Sequence, residues 1–370
     1  MANDTEENFV SNLQKLKKFK SGTTFHLAFT DHGGRGKESV DDSLVVTGAG
    51  NYITYKNLLL TLEENIPKGS HVTFQSNSCW PLFSEAIIST KIESKLDICG
   101  ATSTVSEQMS YNAHKIAFDK NGKKNGPFGA IGLNFANEYK SRNGRYPSTL
   151  DFNFHAKKGD IANMSRQPGL LTSLTYAKTQ LILKKKQDPL FYLDLNNVLD
   201  KIDWNGDTAI DNFITGPQSH NIVVNDTPGA ACKDCVKSIY GELIRVVEPI
   251  NNLVNSNFDL LPSPFKEQSW QAKTWLKKNQ KSLAKILKNN LKEKNDFIKK
   301  YERFPKEKYA ATEEQWNKLV SKQSMALKEY QFNMRIIQEG KMLQDFIKSA
   351  TPSERSRFQK FLDCENKPIF

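Results

Sequence analysis

The sequence predicts an α/β protein in which a mostly parallel sheet is flanked by helices and followed by an all-α C-terminal region. In the N-terminal part of the chain, short apolar runs alternate with amphipathic helical patterns, which is typical of a parallel sheet. In the last third, apolar residues recur every three or four positions, which is typical of long helices. This last third also carries the whole basic excess of the chain, which marks a separate domain.

The N-terminal elements are predicted from apolar spacing and from the turn residues between them. Phe9, Leu13 and Leu16 recur at helical spacing, whereas the residues after Thr23 and after Ser70 form short apolar strands. The predicted order is helix 6–19, strand 23–30, a short strand or hairpin over 41–46 before Tyr52-Ile53, helix 55–64, a strand from residue 71, helix 81–90 and strand 96–104. Strands that are separated by helices in this way pair in parallel.

The middle of the chain combines further helices with short strands. Leu150, Phe152 and Phe154 alternate with polar residues, so we expect a strand over Thr149–His155. The other elements predicted in this part are helices 128–143, 170–183 and 191–202 and a short strand 221–225.

Two of the predicted strands end in reactive side chains. His32 follows strand 23–30, and Cys79 follows the strand that begins at His71. Because the carboxyl ends of parallel strands meet in one crevice, we expect His32 and Cys79 to lie together. An imidazolium beside a thiol lowers the pKa of the thiol and makes it a strong nucleophile. The sequence therefore predicts a His–Cys dyad.

The residues around this pair resemble a known family. Residues 29–36, Phe-Thr-Asp-His-Gly-Gly-Arg-Gly, resemble the histidine motif of legumain-type cysteine peptidases, and are similar to that of the GPI-transamidase catalytic subunit. Both families belong to the caspase-like group, in which the order is strand, His-Gly, helix, strand, Cys. The strand 96–104 with the later Ser110-Tyr111 pair is similar to the legumain-type strand after the nucleophile. The resemblance covers residues 9–112 and implies a caspase-like fold.

The resemblance implies a cysteine endopeptidase that hydrolyses peptide bonds of protein substrates. Cys79 would attack the backbone amide, and His32 would protonate the leaving amine. The backbone N–H groups of Gly33 and Cys79 would form the oxyanion hole. The resemblance also implies a substrate pocket that includes Asn77, Ser103, Ser110 and Tyr111. Two alternatives stay open: a transamidase of the same family, and a catalytically inactive interaction protein on the same fold.

We expect no metal ion and no organic cofactor. The run from Asp203 to Asp207 begins like a calcium loop, but Thr208 stands where such a loop needs Gly. Cys232 and Cys235 form one pair, whereas the usual zinc site adds a second pair of ligands.

The cysteine content and the N-terminus bear on the compartment. Five Cys in 370 residues are too few for a disulfide framework. The acidic, polar first residues are unlike a secretory signal peptide, and no apolar run approaches the about 18 residues of a membrane span. We expect synthesis in a reducing cytoplasm, and the sequence leaves open whether the protein acts there or in the cytosol of another cell.

Charge and composition predict the domain organisation. Residues 262–370 hold 24 Lys and Arg against 13 Asp and Glu, a surplus of 11 that equals the net charge of the whole chain. We expect a peptidase domain over 1–230, a connecting segment over 231–261 and a basic helical domain over 262–370. The basic face of that domain is solvated, or binds an acidic partner or a membrane surface. We expect no nucleic-acid partner because no base-reading motif is visible.

Overall fold

The computed structural model describes residues 6–29, 33–34, 44–46, 52–76, 83–90, 96–102, 129–154, 171–184, 255–279, 333–334 and 336–369. The chain divides into two compact units, of which the first comprises Met1–Lys186 and Phe346–Phe370 and the second Gln187–Asp345. The first unit is therefore discontinuous in sequence, since the second is inserted into it.

The described strands are β1 (Thr24–Phe29), β2 (Gly33–Gly34), β3 (Leu44–Val46), β4 (Tyr52–Thr54), β5 (His71–Ser76) and β6 (Asp97–Thr102). The described helices are α1 (Glu6–Gln14, continued by a 3-10 turn at Lys15–Lys18), α2 (Tyr55–Asn65), α3 (Phe83–Thr90), α4 (Gly129–Asn143), α5 (149–154), α6 (Thr172–Leu183), α7 (263–279), α8 (336–349) and α9 (Pro352–Asn366). The predicted α/β class is confirmed, and the predicted elements of the N-terminal part are present within a few residues of their expected bounds.

A parallel sheet forms the centre of the first unit. Among the described strands it has the order β1-β5-β6, and both neighbouring pairs are parallel. All six residues of β5 are buried, including polar ones such as Thr73 and Gln75, because this strand lies between the other two. The predicted parallel sheet is thus confirmed for the strands that precede His32, Cys79 and Ser103.

A second, antiparallel sheet follows β1 directly. In the described part of the chain it has the order β2-β3-β4, with Gly33 opposite Val45 and Val45 opposite Ile53. Of the short strand or hairpin expected over 41–46, the structure shows the short strand, as β3. The last strand leads straight into α2, where the Thr54 hydroxyl accepts a hydrogen bond from the Asn57 N–H and caps the helix.

Helices pack on the two faces of the parallel sheet. On one face, Tyr55 at the start of α2 packs its ring edge against Phe74 of β5. On the opposite face, α9 is joined to β6 by a disulfide bond between Cys364 and Cys99. α9 begins in a capping box, in which Thr351 and Glu354 each accept a hydrogen bond from the other's backbone N–H.

The predicted strand Thr149–His155 is wrong, since residues 149–154 form the helix α5. The Ser148 hydroxyl accepts a hydrogen bond from the Asp151 N–H, and the Asp151 carboxylate accepts one from the Ser148 N–H. These reciprocal bonds are a capping box, which starts a helix. Leu150 and Phe152 are buried in this helix. Apolar alternation over so few residues therefore did not distinguish a strand from a short helix.

The C-terminal helix belongs to the sheet unit, whereas the sequence placed it in the helical domain 262–370. Besides the disulfide, the buried Glu365 accepts hydrogen bonds from the backbone N–H and the hydroxyl of Ser173 at the start of α6. The expected boundary at residue 262 thus differs from the structure for residues 346–370. The sequence analysis did not identify this cysteine pair.

The described part of the second unit is helical, as predicted. Ser269 of α7 and Gly340 of α8 approach so closely that a Cβ atom at Gly340 would overlap the Ser269 hydroxyl. Phe258 and Leu261 also border this glycine. The helix predicted at 191–202, the strand predicted at 221–225 and the chain between α7 and residue 333 lie outside the described residues.

Candidate active site

The carboxyl ends of the three parallel strands lie side by side. Phe29 at the end of β1 pairs with Ser76 at the end of β5, and Ser76 pairs with Thr102 at the end of β6. The three strands therefore end at the same level of the sheet. In open parallel sheets this edge is where ligands bind.

Most of the predicted site residues follow these ends but lie outside the described residues: His32, Asn77, Cys79, Ser103, Ser110 and Tyr111. Gly33 is described, and it begins β2. In the sequence, His32 comes three positions after Phe29 and Cys79 comes three positions after Ser76. His32 and Cys79 thus each come three positions after a strand residue, and these two strand residues, Phe29 and Ser76, pair directly with each other. Their roles stay predictions.

Tyr55 supports the carboxyl end of β5. Its side chain is fully buried, and its hydroxyl lies 3.3 Å from the hydroxyl of Ser76. Its ring packs edge-on against Phe74, with centroids 6.4 Å apart. These two contacts fix the carboxyl end of β5, which comes directly before the segment that contains Cys79.

The antiparallel sheet connects Gly33 to the same point. β2 pairs with β3, β3 pairs with β4, and β4 runs without a break into Tyr55. The residue directly after His32 and the last residue of β5 are therefore linked through the backbone of the small sheet and through Tyr55. Sequence reasoning missed this role of Tyr55, since an aromatic residue at a helix start is indistinguishable from ordinary core in the sequence.

The histidine on β1, His26, is suited to a structural role. His26 of β1 lies opposite Thr73 of β5, and its Nδ1 is 2.7 Å from the Thr73 hydroxyl. Burial lowers the pKa of His26 to about 4. At neutral pH this imidazole is uncharged, so it does not provide the positive charge that activates a thiol.

The opposite, amino-terminal end of the sheet holds a polar cluster that the sequence analysis did not identify. His71 and Asp97 are the first residues of β5 and β6, and the His71 Nδ1 lies 3.0 Å from the Asp97 carboxylate. The Lys367 ammonium also contacts this carboxylate. Burial acts to raise the pKa of Asp97, but the hydrogen bonds and charges of His71 and Lys367 outweigh it and hold the pKa below its usual value.

The second unit contains an open groove of about 630 Å³. It is lined by Leu261, Ser263, Lys266, Glu267, Trp270 and Gln271. Among these described lining residues there is neither a Cys nor a His, so the groove offers no nucleophile for the predicted reaction.

Comparison of the chain with protein-family models, with curated proteins and with solved structures gives no match. Within the described residues, no helix combines the length and the apolar character that crossing a membrane requires.

Proposed function

We propose that the protein is a cysteine endopeptidase with a caspase-like fold, in which His32 and Cys79 form the catalytic dyad. The observation that carries the proposal is the in-register parallel pairing of β1 with β5, up to Phe29 opposite Ser76. Neighbouring strands are about 4.8 Å apart, and a three-residue segment reaches at most about 10 Å. Both residues are therefore within reach of one point at the edge of the sheet.

The resemblance of residues 29–36 to the legumain-type histidine motif supports the assignment of roles. The Cys79 thiolate attacks the carbonyl carbon of the scissile amide, and His32 gives a proton to the departing amine. The N–H groups of Gly33 and Cys79 bind the oxyanion of the tetrahedral intermediate. Water then hydrolyses the thioester and regenerates the thiol.

Asn77, Ser103, Ser110 and Tyr111 are proposed to line the substrate pocket. The pairing of Ser76 with Thr102 supports the first two, because Asn77 and Ser103 each directly follow one member of this pair. Asn77 therefore contributes to the choice of the substrate residue before the cleaved bond.

The deciding experiment measures cleavage of a peptide library by the full-length protein and its Cys79→Ala and His32→Ala variants. We expect both variants to lose activity by at least about 10³-fold, since nucleophile and proton donor act as one unit. Cys235→Ala is the matched control, because it removes a thiol outside residues 9–112, which carry the resemblance, and it should cleave like the wild type. Equal cleavage by wild type and Cys79→Ala would refute the dyad.

Thiol labelling separates the enzyme from an inactive protein on the same fold. A peptide acyloxymethyl ketone should modify Cys79 and leave Cys99 unmodified, because Cys99 is fully buried and bonded to Cys364. Cleavage in the presence of an added amine then separates hydrolysis from transamidation. A product that carries the amine in place of a new carboxylate would assign the transamidase.

A further inference from the structure

The amino-terminal end of the parallel sheet carries a set of metal-type ligand atoms from three elements. His71 comes from β5, Asp97 from β6 and Cys364 from α9, and one ligand atom of each lies within 4.8 Å of the other two. His71 and Cys364 are 5% and 1% exposed, respectively. Within the described residues, the Nε2 atom of His71 is buried and has no hydrogen-bond partner. One of the two nitrogen atoms of this imidazole is thus buried in a polar site with no partner among the described residues.

The sulfur of Cys364 is not available as a ligand while it is bonded to Cys99. Reduction of this bond yields two thiols rather than one. Cys99 lies two positions after Asp97 on the same strand, so both residues point to the same face of the sheet. The reduced protein therefore offers one imidazole, one carboxylate and two sulfur atoms on adjoining elements.

We propose that this cluster is a zinc-type metal site that replaces the disulfide when the disulfide is reduced. Two external thiols, of the glutathione or dithiol class, are oxidised to a disulfide and deliver two electrons and two protons to Cys99 and Cys364. A divalent ion then displaces both protons, because the thiolate is the ligand. His71 and Asp97 complete a four-coordinate set of nitrogen, oxygen and two sulfur ligands, which suits Zn²⁺.

In the oxidised protein, the ammonium group of Lys367 is the positive charge that contacts Asp97. Its ammonium contacts the Asp97 carboxylate and lies 3.4 Å from the His71 Nδ1. Its side chain is 48% exposed, so it can turn into solvent without leaving a buried cavity. Metal binding therefore replaces the ammonium beside Asp97 with a divalent ion, whose two positive charges are balanced by the two thiolates.

Both states join β6 to α9, and the metal state adds β5. The disulfide ties β6 to α9, and the metal ties β5, β6 and α9. The site lies at the end of the sheet opposite to the strand ends that precede His32 and Cys79, so the inference does not depend on the proposed peptidase activity.

The test uses the full-length protein with Cys79, Cys232 and Cys235 replaced by Ser, so that the thiols under study are Cys99 and Cys364. One sample is produced and kept under reducing conditions, and another is oxidised with a glutathione redox pair. Zn²⁺ binding is measured by titration, and Co²⁺ is used as a spectroscopic probe of thiolate ligation. We expect one Zn²⁺ per reduced chain, a thiolate-to-cobalt charge-transfer band, and neither signal in the oxidised sample.

Two further variants keep the cysteines and test the ligand set. Asp97→Asn is nearly isosteric and should weaken Zn²⁺ binding by the reduced protein by at least about tenfold. Lys367→Met removes the competing ammonium and should strengthen binding severalfold. Circular dichroism of each variant confirms that it is folded. Equal Zn²⁺ binding by oxidised and reduced protein, no Zn²⁺ bound by the reduced protein, unchanged affinity of Asp97→Asn, or weaker binding by Lys367→Met would each overturn the proposal.

Discussion

At the scale of single residues, His26 shows how a buried titratable group makes stability depend on pH. Its imidazole is mostly buried between β1 and β5, next to the Thr73 hydroxyl. In the unfolded chain a histidine has a pKa of about 6.5, whereas burial lowers the pKa of the folded His26 to about 4. Between these two values the unfolded chain binds more protons than the folded one. The stabilisation is therefore complete above pH 6.5 and is lost as the pH falls toward 4.

We expect the titration of His26 to make the free energy of unfolding about 2 kcal/mol lower at pH 5 than at pH 7. The His26→Gln variant keeps a polar side chain beside Thr73 but does not titrate, so its free energy of unfolding should fall less over the same interval. Urea unfolding of both proteins at the two pH values measures the difference. Identical pH dependence of wild type and variant would show that His26 does not titrate with a lowered pKa.

Single residues also differ in how far their roles could be predicted from the sequence. The positions of His32 and Cys79 after strands could be predicted from the sequence, because short runs rich in apolar residues end at polar residues shortly before each of them. The contact of Tyr55 with the end of β5 could not be predicted. It depends on the distance between the hydroxyl groups of Tyr55 and Ser76, which no local sequence pattern encodes. The pairing of Cys99 with Cys364 is likewise invisible, because 265 positions separate the two residues.

At the scale of elements, α5 shows how a cap can decide between two conformations. The residues 149–154 have the apolar alternation of a strand, but Ser148 and Asp151 satisfy each other's backbone N–H groups. Asp151 also accepts hydrogen bonds from Tyr139 and Arg145, which fix the end of α4 against it. Burial acts to raise the pKa of Asp151, but these bonds and those from Ser148 outweigh it, so the pKa lies below its usual value.

The Ser148→Ala variant should lower the free energy of unfolding of the first unit by about 1–2 kcal/mol, because the Asp151 N–H loses its acceptor. Ser148→Thr keeps the hydroxyl and is the matched control, with most of the stability retained. Denaturant unfolding measures both. If alanine and threonine at this position gave the same stability, the cap would not be what holds α5 in place.

At the scale of the whole molecule, the disulfide joins two parts of the first unit that are separated by the inserted second unit. Cross-linking stabilises by restricting the unfolded chain, and the effect grows slowly with the length of the closed loop. Disulfides form and persist in oxidising compartments. The sequence analysis expected synthesis in a reducing cytoplasm, where such bonds are rare.

We expect reduction of the Cys99–Cys364 bond, or its removal by Cys99→Ala with Cys364→Ala, to lower the free energy of unfolding by about 3–5 kcal/mol. The large loop of this disulfide places the effect at the upper end of the usual range. Unfolding is followed in the presence of a chelator, so that metal binding does not compensate for the lost bond. The variant should be insensitive to a reductant, and a wild type that unfolds at the same denaturant concentration with and without reductant would contradict the expectation.

The discontinuity of the first unit also has a consequence for its synthesis. The strand β6 leaves the ribosome 265 residues before Cys364, the residue of α9 that will bond to it. At about 5–20 residues per second, this corresponds to roughly 15–50 seconds. During that interval Cys99 lacks α9, the helix to which it is bonded in the described part of the folded protein. The growing chain therefore carries the Cys99 thiol unpaired with Cys364 for this time, and the link between β6 and α9 can form only after α9 has been translated.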